Sequence, residues 1–221
     1  MKPLLLRIGA VLEVIFDTIL PLRERHARTK ARTAEDIPLI PTVHELLGVQ
    51  ITTLMDYRQS AVQDLVRSLK YDGSGHGAQL AAELLGDFLR EEIASQRTFS
   101  QRKILIVPVP LHKSRARERG FNQIELVLQK LPKEFRDGTL STLALYALTR
   151  IRETAPQTRL PRSERLSNVA GAFAVTNAAF VQKTHVFLVD DVTTTGATLA
   201  NAATPLRRAG AEVTLIALAR A

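Results

Sequence analysis

Two adjacent carboxylates, Asp190 and Asp191, stand between an apolar run and a turn rich in hydroxyl side chains. A stretch with helical periodicity follows, and open α/β sheets bind their ligands at strand-to-helix turns of this kind. The glycine of the turn lets the backbone approach an anion, and the turn amides and helix N-terminus supply donors. The turn residues available to a phosphate are Thr193, Thr194, Thr195, Gly196, Ala197 and Thr198. This pattern predicts a phosphate-binding turn.

The two carboxylates need a different partner, because like charges repel and a carboxylate cannot bind that phosphate. Carboxylates accept hydrogen bonds from vicinal ribose hydroxyls, and they can hold a diphosphate-bound magnesium through water. An aspartate that caps the following helix is the plain structural alternative. A helix cap accounts for one of the two carboxylates. It does not account for the second carboxylate, the threonines and the glycine occurring together. The predicted ligand therefore has a phosphate joined to a ribose.

A second candidate region follows a short apolar run at residues 103–110. It is a basic loop with a glycine, which could cradle a diphosphate, although long basic side chains often form a solvated loop face. The candidate diphosphate-binding residues are Lys113, Arg117, Arg119 and Gly120, with Arg115 as a further cation.

A long polar segment, residues 150–173, separates two predicted strands. Loops of this length in compact domains are commonly lids or binding loops, and closure over a diphosphate would exclude water and bring cations to the departing charge. Arg152 is the candidate cation. A plain surface loop explains the same segment equally well.

Strand-like and helix-like segments alternate along most of the chain, which predicts an α/β fold with a mostly parallel, doubly wound sheet flanked by helices. The predicted strands cover residues 51–57, 103–110, 143–149, 185–189 and 212–218, and the predicted helices cover residues 60–70, 78–94, 122–131 and 197–208. Before them come an amphipathic helix within residues 1–22, a basic run at 23–32 and an irregular stretch with Pro38 and Pro41. We therefore expect a small region at residues 1–50 and a larger domain at residues 51–221.

The net charge and the lack of cysteine exclude several classes of function. A net charge of +8 and a pI near 10.2 favour anionic partners, and the lack of cysteine excludes disulfides, thiolate zinc sites and a cysteine nucleophile. Arg7, Glu13 and Asp17 interrupt the apolar N-terminal segment, so we expect no membrane span and a cytoplasmic protein. The basic run at residues 23–32 is predicted to be a solvated arm or linker, with DNA or an acidic partner as the alternative.

Residues 186–198, Val-Phe-Leu-Val-Asp-Asp-Val-Thr-Thr-Thr-Gly-Ala-Thr, resemble the loop by which type I phosphoribosyltransferases bind 5-phosphoribosyl 1-diphosphate (PRPP). The resemblance implies the fold of those enzymes. It also implies that Asp190 and Asp191 contact the ribose hydroxyls and that residues 193–198 surround the 5-phosphate.

Three further segments resemble the ComF family, the competence protein F or GntX-like branch of these enzymes. They are Leu-Lys-Tyr at 69–71, Pro-Val-Pro-Leu-His with Arg-Gly-Phe-Asn-Gln within 108–123, and Arg-x-Arg-x-Thr-x-x-Gln with Arg-x-x-Asn-Val-x-Gly-Ala-Phe within 150–173. Many relatives carry an N-terminal four-cysteine zinc module, which this chain lacks. His26 and His44 have no partners at ligand spacing, so we expect no zinc.

The resemblance implies a protein that binds Mg²⁺ with PRPP, has no direct metal ligand, and transfers the phosphoribosyl group to an unknown base or amine with release of diphosphate. Asp190, Asp191 and Arg152 would be its catalytic residues. The alternative is a non-catalytic PRPP- or nucleotide-binding adaptor in DNA uptake or DNA metabolism that works with single-stranded DNA or a DNA-uptake helicase. A hood over the site would come from residues 51–94 and the N-terminal helix. Catalysis and a homodimeric state both stay open.

Overall fold

A computed structural model describes residues 27–111, 117, 120–152 and 171–221. Its main sheet has six strands in the order β1-β2-β8-β7-β3-β4, in which β1 is antiparallel to β2 and the other neighbours are parallel. The strands are β1 (Thr42–Leu46), β2 (Val49–Asp56), β3 (Ile104–Pro108), β4 (Thr142–Leu143), β5 (Leu148–Arg150), β6 (Phe173–Val175), β7 (His185–Thr193) and β8 (Glu212–Arg220). The helices are α1 (Ser60–Asp72), α2 (Gly75–Phe99), α3 (Gln123–Lys130), α4 (Ala178–Val181) and α5 (Ala197–Arg208).

Both faces of the sheet are covered, which confirms the predicted doubly wound α/β fold. Helices α1, α2 and α3 pack on one face, where β7 contributes Phe187 and Val189. Helix α5 and the small β5-β6 sheet pack on the other face, where β7 contributes Val186 and Leu188. Strands that are buried on both faces have continuous apolar sequences. For that reason the sequence predicts β3 and β7 as strands.

Most predicted elements are present, but the predicted strand at residues 143–149 is wrong. It consists of two short strands, β4 and β5, which belong to different sheets. The Ala147 amide donates to the Ala144 carbonyl at 3.2 Å and closes a turn between them, and Tyr146 at its tip is 80% exposed. The apolar run predicts a single strand because the turn that divides it contains neither glycine nor proline.

Strand β1 was not predicted, and residues 42–46 belong to the main sheet rather than to an irregular stretch. The boundary expected after residue 50 falls inside β2. A two-residue turn joins the strands, with Leu47 at φ 55° and Gly48 at φ 72°. Such turns require positive φ at both positions and favour asparagine, aspartate or glycine there. The leucine at the first position is unusual, so the sequence pattern does not predict the hairpin.

The hood predicted for residues 51–94 is also wrong. Strand β2 lies inside the sheet, and α1 and α2 bury Leu65, Leu69, Leu85 and Leu89 against one of its faces. These elements form the core of the domain and leave no separate cover for the site. The predicted N-terminal helix lies outside the described residues. Among the described residues, no helix is both long and apolar enough to cross a lipid bilayer.

The basic run at residues 23–32 was expected to be a solvated arm, and its described part, from residue 27, is docked on α1 instead. Asp64 of α1 accepts hydrogen bonds from Arg32 Nη1 at 2.8 Å and from Arg28 Nη2 at 3.3 Å. Thr29 between them is only 1% exposed. A carboxylate that is 10% exposed requires such cationic partners, so two arginines of the run serve the fold.

We predict that Asp64→Ala lowers the free energy of unfolding by about 2 kcal/mol, because it leaves two arginines without their buried partner. Asp87→Ala is the matched control. Its carboxylate pairs with Arg90 on α2 but is 70% exposed, and the expected loss is below about 0.5 kcal/mol. Urea denaturation measures both values. Equal losses would contradict a structural role for the docked run.

Candidate ligand-binding site

The two aspartates lie inside strand β7, which continues to Thr193 instead of ending before them. Successive side chains of a strand point to opposite faces. Asp191 therefore shares a face with Val189 and helix α3, and Asp190 shares the other face with Leu188 and the small sheet. Together they flank the carboxyl edge of the sheet at its centre, where ligands of open α/β folds bind.

Helix α3 holds Asp191 in place. Gln123 is 4% exposed and donates from Nε2 to Asp191 Oδ2 at 2.6 Å, while the Val192 amide donates to Asp191 Oδ1 at 2.6 Å. Asn122 caps α3 by accepting from the Ile124 amide at 3.1 Å, and its Nδ2 donates to the Val109 carbonyl at 3.2 Å. The helix start is thereby fixed to the end of β3 and presents Gln123 to the carboxylate.

Asp190 has a different electrostatic environment. Burial raises the pKa of the Asp190 carboxyl well above its usual value, the neighbouring Asp191 charge raises it further, and the Arg150 charge opposes the rise. Asp190 Oδ1 accepts the Asp191 amide at 2.9 Å. Arg150 of β5 is 9% exposed and its guanidinium lies 5.3 Å from the centre of the Phe173 ring. Strong pKa perturbation beside a second carboxylate is typical of functional sites.

The turn after β7 begins helix α5 with a glycine at positive φ. Gly196 has φ +79° and is the N-cap of α5, with no side-chain cap bond. The alternative in which an aspartate caps this helix is therefore wrong. Thr193 is buried, Thr194 is exposed, and Thr195 and Thr198 are half-buried. A Cβ on Gly196 would lie 2.7 Å from Ile51 Cδ1 and 2.9 Å from Leu46 Cβ, so the turn packs closely on β1 and β2.

The predicted diphosphate loop is described only in part. Gly120 is exposed at φ +79° and has no atom within 4 Å of an added Cβ, and Arg117 is exposed. Arg152 is exposed just after β5. Lys113, Arg115, Arg119 and residues 153–170 lie outside the described residues. The structure thus brings together Asp190, Asp191 and residues 193–198.

Three site residues were not selected from the sequence, namely Asn122, Gln123 and Arg150. Each belongs to a segment that was recognised as distinctive, and each is a buried polar residue within a motif. The turn after Leu69-Lys70-Tyr71 also contacts this region, since a Cβ on Gly73 would lie 3.0 Å from the Phe121 ring. The short motifs therefore meet around the start of α3.

A cavity of about 590 Å³ lies at the opposite edge of the sheet, before β3. Its cations are engaged within the fold. Arg97 donates to the carbonyls of Thr139 and Leu140 at 2.8 and 3.0 Å, and Arg102 pairs with Glu212 at 2.9 Å. This cavity is separate from the carboxylate pair and the threonine turn.

The chain is similar in sequence to bacterial proteins that are named for DNA utilization and for competence. It is 36% identical over 163 residues to the DNA utilization protein YhgH of Escherichia coli K12, covering 73% of this chain and 67% of that protein. It is 29% identical over 168 residues to the competence protein ComFC of Streptococcus pneumoniae, covering 76% of this chain and 66% of the relative. No protein-family model matches.

Among solved structures, orotate phosphoribosyltransferase of Mycobacterium tuberculosis aligns with 87% of this chain and 81% of its own, at 12% identity and a TM-score of 0.35. The sequence similarity to YhgH extends over about three quarters of this chain and two thirds of YhgH. The chain therefore belongs to the ComF family, together with YhgH and the competence proteins.

Proposed function

We propose that this protein binds Mg-PRPP at the carboxyl edge of its sheet and transfers the phosphoribosyl group to a nitrogen acceptor. The observation that carries the proposal is the pairing of two carboxylates with a glycine-capped, threonine-rich helix start. Asp190 and Asp191 would accept hydrogen bonds from the two ribose hydroxyls, and residues 193–198 would bind the 5-phosphate. Gln123 fixes one carboxylate at 2.6 Å and so preorganises the ribose site.

The magnesium would enter with the diphosphate as part of the substrate. Among the described residues, no three carboxylate, histidine or cysteine side chains form a cluster that could hold a metal ion. Magnesium keeps several waters in such sites, and Asp190 and Asp191 would hold it through water and through the ribose rather than as direct ligands.

In the proposed reaction the acceptor nitrogen bonds to the anomeric carbon while the bond from that carbon to the diphosphate oxygen breaks. Diphosphate leaves with the electron pair, and the acceptor nitrogen releases its proton to water. Positive charge develops on the ribose and negative charge on the diphosphate. Cations of the segments that contain Lys113, Arg117, Arg119, Gly120 and Arg152 would stabilise the departing charge, and positioning would supply the rest.

We expect isothermal titration with Mg-PRPP to give a dissociation constant in the micromolar range for the wild-type protein. A double variant, Asp190→Asn with Asp191→Asn, should lose about 100-fold in affinity, since hydrogen bonds to charged acceptors contribute about 1.5–3 kcal/mol each. A diphosphate-release assay with a panel of nucleobases and amines then tests turnover. Equal affinities of the wild type and the double variant for Mg-PRPP would contradict the ligand assignment.

A second candidate is a PRPP-binding adaptor for DNA, which the names of the relatives favour: a DNA utilization protein and a competence protein. The net charge of +8 suits a nucleic acid or an acidic partner, such as a helicase for DNA uptake. PRPP binding without turnover of any acceptor, combined with salt-dependent binding of single-stranded DNA, would support the adaptor. Turnover of an acceptor would support the enzyme. For both candidate functions we propose a cytoplasmic homodimer.

A further inference from the structure

The last residues of the described chain lie directly beside the threonine turn. In the sheet register, Arg220 of β8 pairs with Thr193 of β7 on one side and with Asp56 of β2 on the other. The Ala221 amide donates to the Thr193 carbonyl at 3.1 Å, and the Tyr57 amide donates to the Arg220 carbonyl at 2.9 Å. Neighbouring strands are about 4.8 Å apart. The backbone of Arg220 is therefore one strand from the first threonine of the turn.

The guanidinium of Arg220 is held by a neutral histidine. Its Nη1 donates to Nδ1 of His44 on β1, and His44 Nε2 lies 3.0 Å from Thr53 Oγ1. Arginine can only donate, so Nδ1 must be the acceptor and the proton is on Nε2, which donates to the threonine. Burial lowers the pKa of His44 and the Arg220 charge lowers it further, which agrees with a neutral ring.

The nearby carboxylate is already neutralised by another arginine. Arg58 contacts both oxygens of Asp56, with distances of 3.0 Å from Nε and 2.7 Å from Nη2. Hydrogen bonds from Arg58 lower the pKa of Asp56 to about 2. In the part of the chain that the structure describes, no carboxylate lies within 4.0 Å of the Arg220 guanidinium. The Arg220 charge also lowers the pKa of Asp56, but less than Arg58 does. The Arg220 guanidinium donates its hydrogen bond to the neutral His44 ring, so its other N–H groups can serve an anion.

The turn itself extends toward this pair. Gly196 packs on Leu46 and Ile51, and these residues are on the same two strands as His44 and Thr53. The register places His44 opposite Ile51 and Thr42 opposite Thr53. The helix start of α5 thus packs on β1 and β2 beside Leu46, which shares a face of β1 with His44, the partner of Arg220.

We infer that Arg220 is a direct contact of the ligand's 5-phosphate and that His44 is a positioning residue that orients its guanidinium. The inference rests on the proposed function and adds a cation to a turn that otherwise offers backbone amides and hydroxyls. A guanidinium that His44 holds on one side would use its remaining N–H groups to neutralise phosphate charge and donate two parallel hydrogen bonds.

The test uses ribose 5-phosphate, which contains the 5-phosphate but no diphosphate, and PRPP, which contains both. We expect Arg220→Gln to weaken binding of both ligands about 10-fold. Arg102→Gln removes the same charge at the amino end of the sheet, where Arg102 pairs with Glu212, and it should stay within about 2-fold of the wild type. Equal affinities of the two variants would overturn the role of Arg220.

Two substitutions of His44 test the positioning role. Asn places an oxygen acceptor near the position of Nδ1, whereas Leu offers none. His44→Leu should bind ribose 5-phosphate about 5-fold more weakly, and His44→Asn should recover to within about 2-fold of the wild type. Equal losses in both variants would overturn the positioning role, because a merely structural histidine would not be rescued by an acceptor.

Failures of the two proposals give different results. A wild-type protein that binds neither ribose 5-phosphate nor PRPP contradicts the proposed function, and the inference with it. A wild-type protein that binds both while Arg220→Gln binds equally well contradicts the inference alone. Should Arg220→Gln not fold, Arg220→Lys keeps the charge and loses the planar fork. We expect it to bind about 3-fold more weakly, and unchanged affinity would overturn a bidentate contact.

Discussion

Asp190→Asn is expected to raise the melting temperature of the ligand-free protein by about 2–4 °C at pH 7.5 and to weaken PRPP binding by about 10-fold. Burial and the adjacent Asp191 raise the pKa of Asp190, so its ionised form destabilises the folded state at neutral pH. The asparagine is neutral and keeps an Oδ1 atom for the Asp191 amide, which lies 2.9 Å away. A charged group that destabilises the folded protein is typical of a binding site.

The stability gain should depend on pH with a definite sign. Because the folded-state pKa of Asp190 lies above its usual value of 3.8, the folded wild type binds more protons than the unfolded chain at intermediate pH. Stability of the wild type therefore falls as the pH rises from 3.8 through the raised pKa. The advantage of Asp190→Asn should be near zero below pH 3.8 and largest above that window, as thermal melts across the pH range would measure.

Asp191→Asn is the matched control, since it removes the same charge one residue away. Its carboxylate accepts the 2.6 Å hydrogen bond from Gln123, and loss of this charge-assisted bond should offset the relief of repulsion. We expect similar loss of PRPP binding but a smaller gain in melting temperature. A melting temperature of Asp190→Asn below that of the wild type at pH 7.5 would contradict the assigned environment of Asp190.

Gly196→Ala is expected to lower the free energy of unfolding by about 3 kcal/mol and to abolish phosphate binding. Two effects add. Positive φ is unfavourable for any residue with a Cβ, and the new Cβ would lie 2.7 Å from Ile51 Cδ1 and 2.9 Å from Leu46 Cβ. The side chain of Leu46 cannot rotate its own Cβ away, so the turn must shift.

Gly48→Ala separates the two effects. Gly48 has φ +72° and no atom within 4 Å of an added Cβ, so only the backbone cost of about 1 kcal/mol is expected. Adding Ile51→Val to Gly196→Ala removes the Cδ1 atom and should restore about 1 kcal/mol. Chemical denaturation of the variants measures all these values. Equal destabilisation by Gly196→Ala and Gly48→Ala would show that the close packing of the turn on β1 and β2 is wrong.

Part of the site can be predicted from the sequence because its residues are consecutive in the chain. The carboxylate pair, the threonines and the glycine are consecutive residues at 190–198, and the apolar runs of β3 and β7 predict strands that are buried on both faces. Helix α5 begins and ends where its pattern predicts, at Ala197 and Arg208. Backbone geometry over a few residues suffices to determine these features.

Tertiary structure decides which distant residues reach that turn. Gln123 contacts Asp191 across 68 positions, and Arg220 contacts His44 across 176. No local pattern predicts such pairs, since they follow from strand order. Strand β1 joins the sheet through a turn with leucine at positive φ, which no turn rule favours.

By itself, then, the sequence determined the two carboxylates and the threonine turn, because adjacent residues on one strand and one helix start need no other element to bring them together. Only the packed sheet decided that the carboxylates face opposite sides, with Gln123 on one and Arg150 on the other. The reason is physical: side chains alternate along a strand, and their neighbours are set by which helix or strand covers each face.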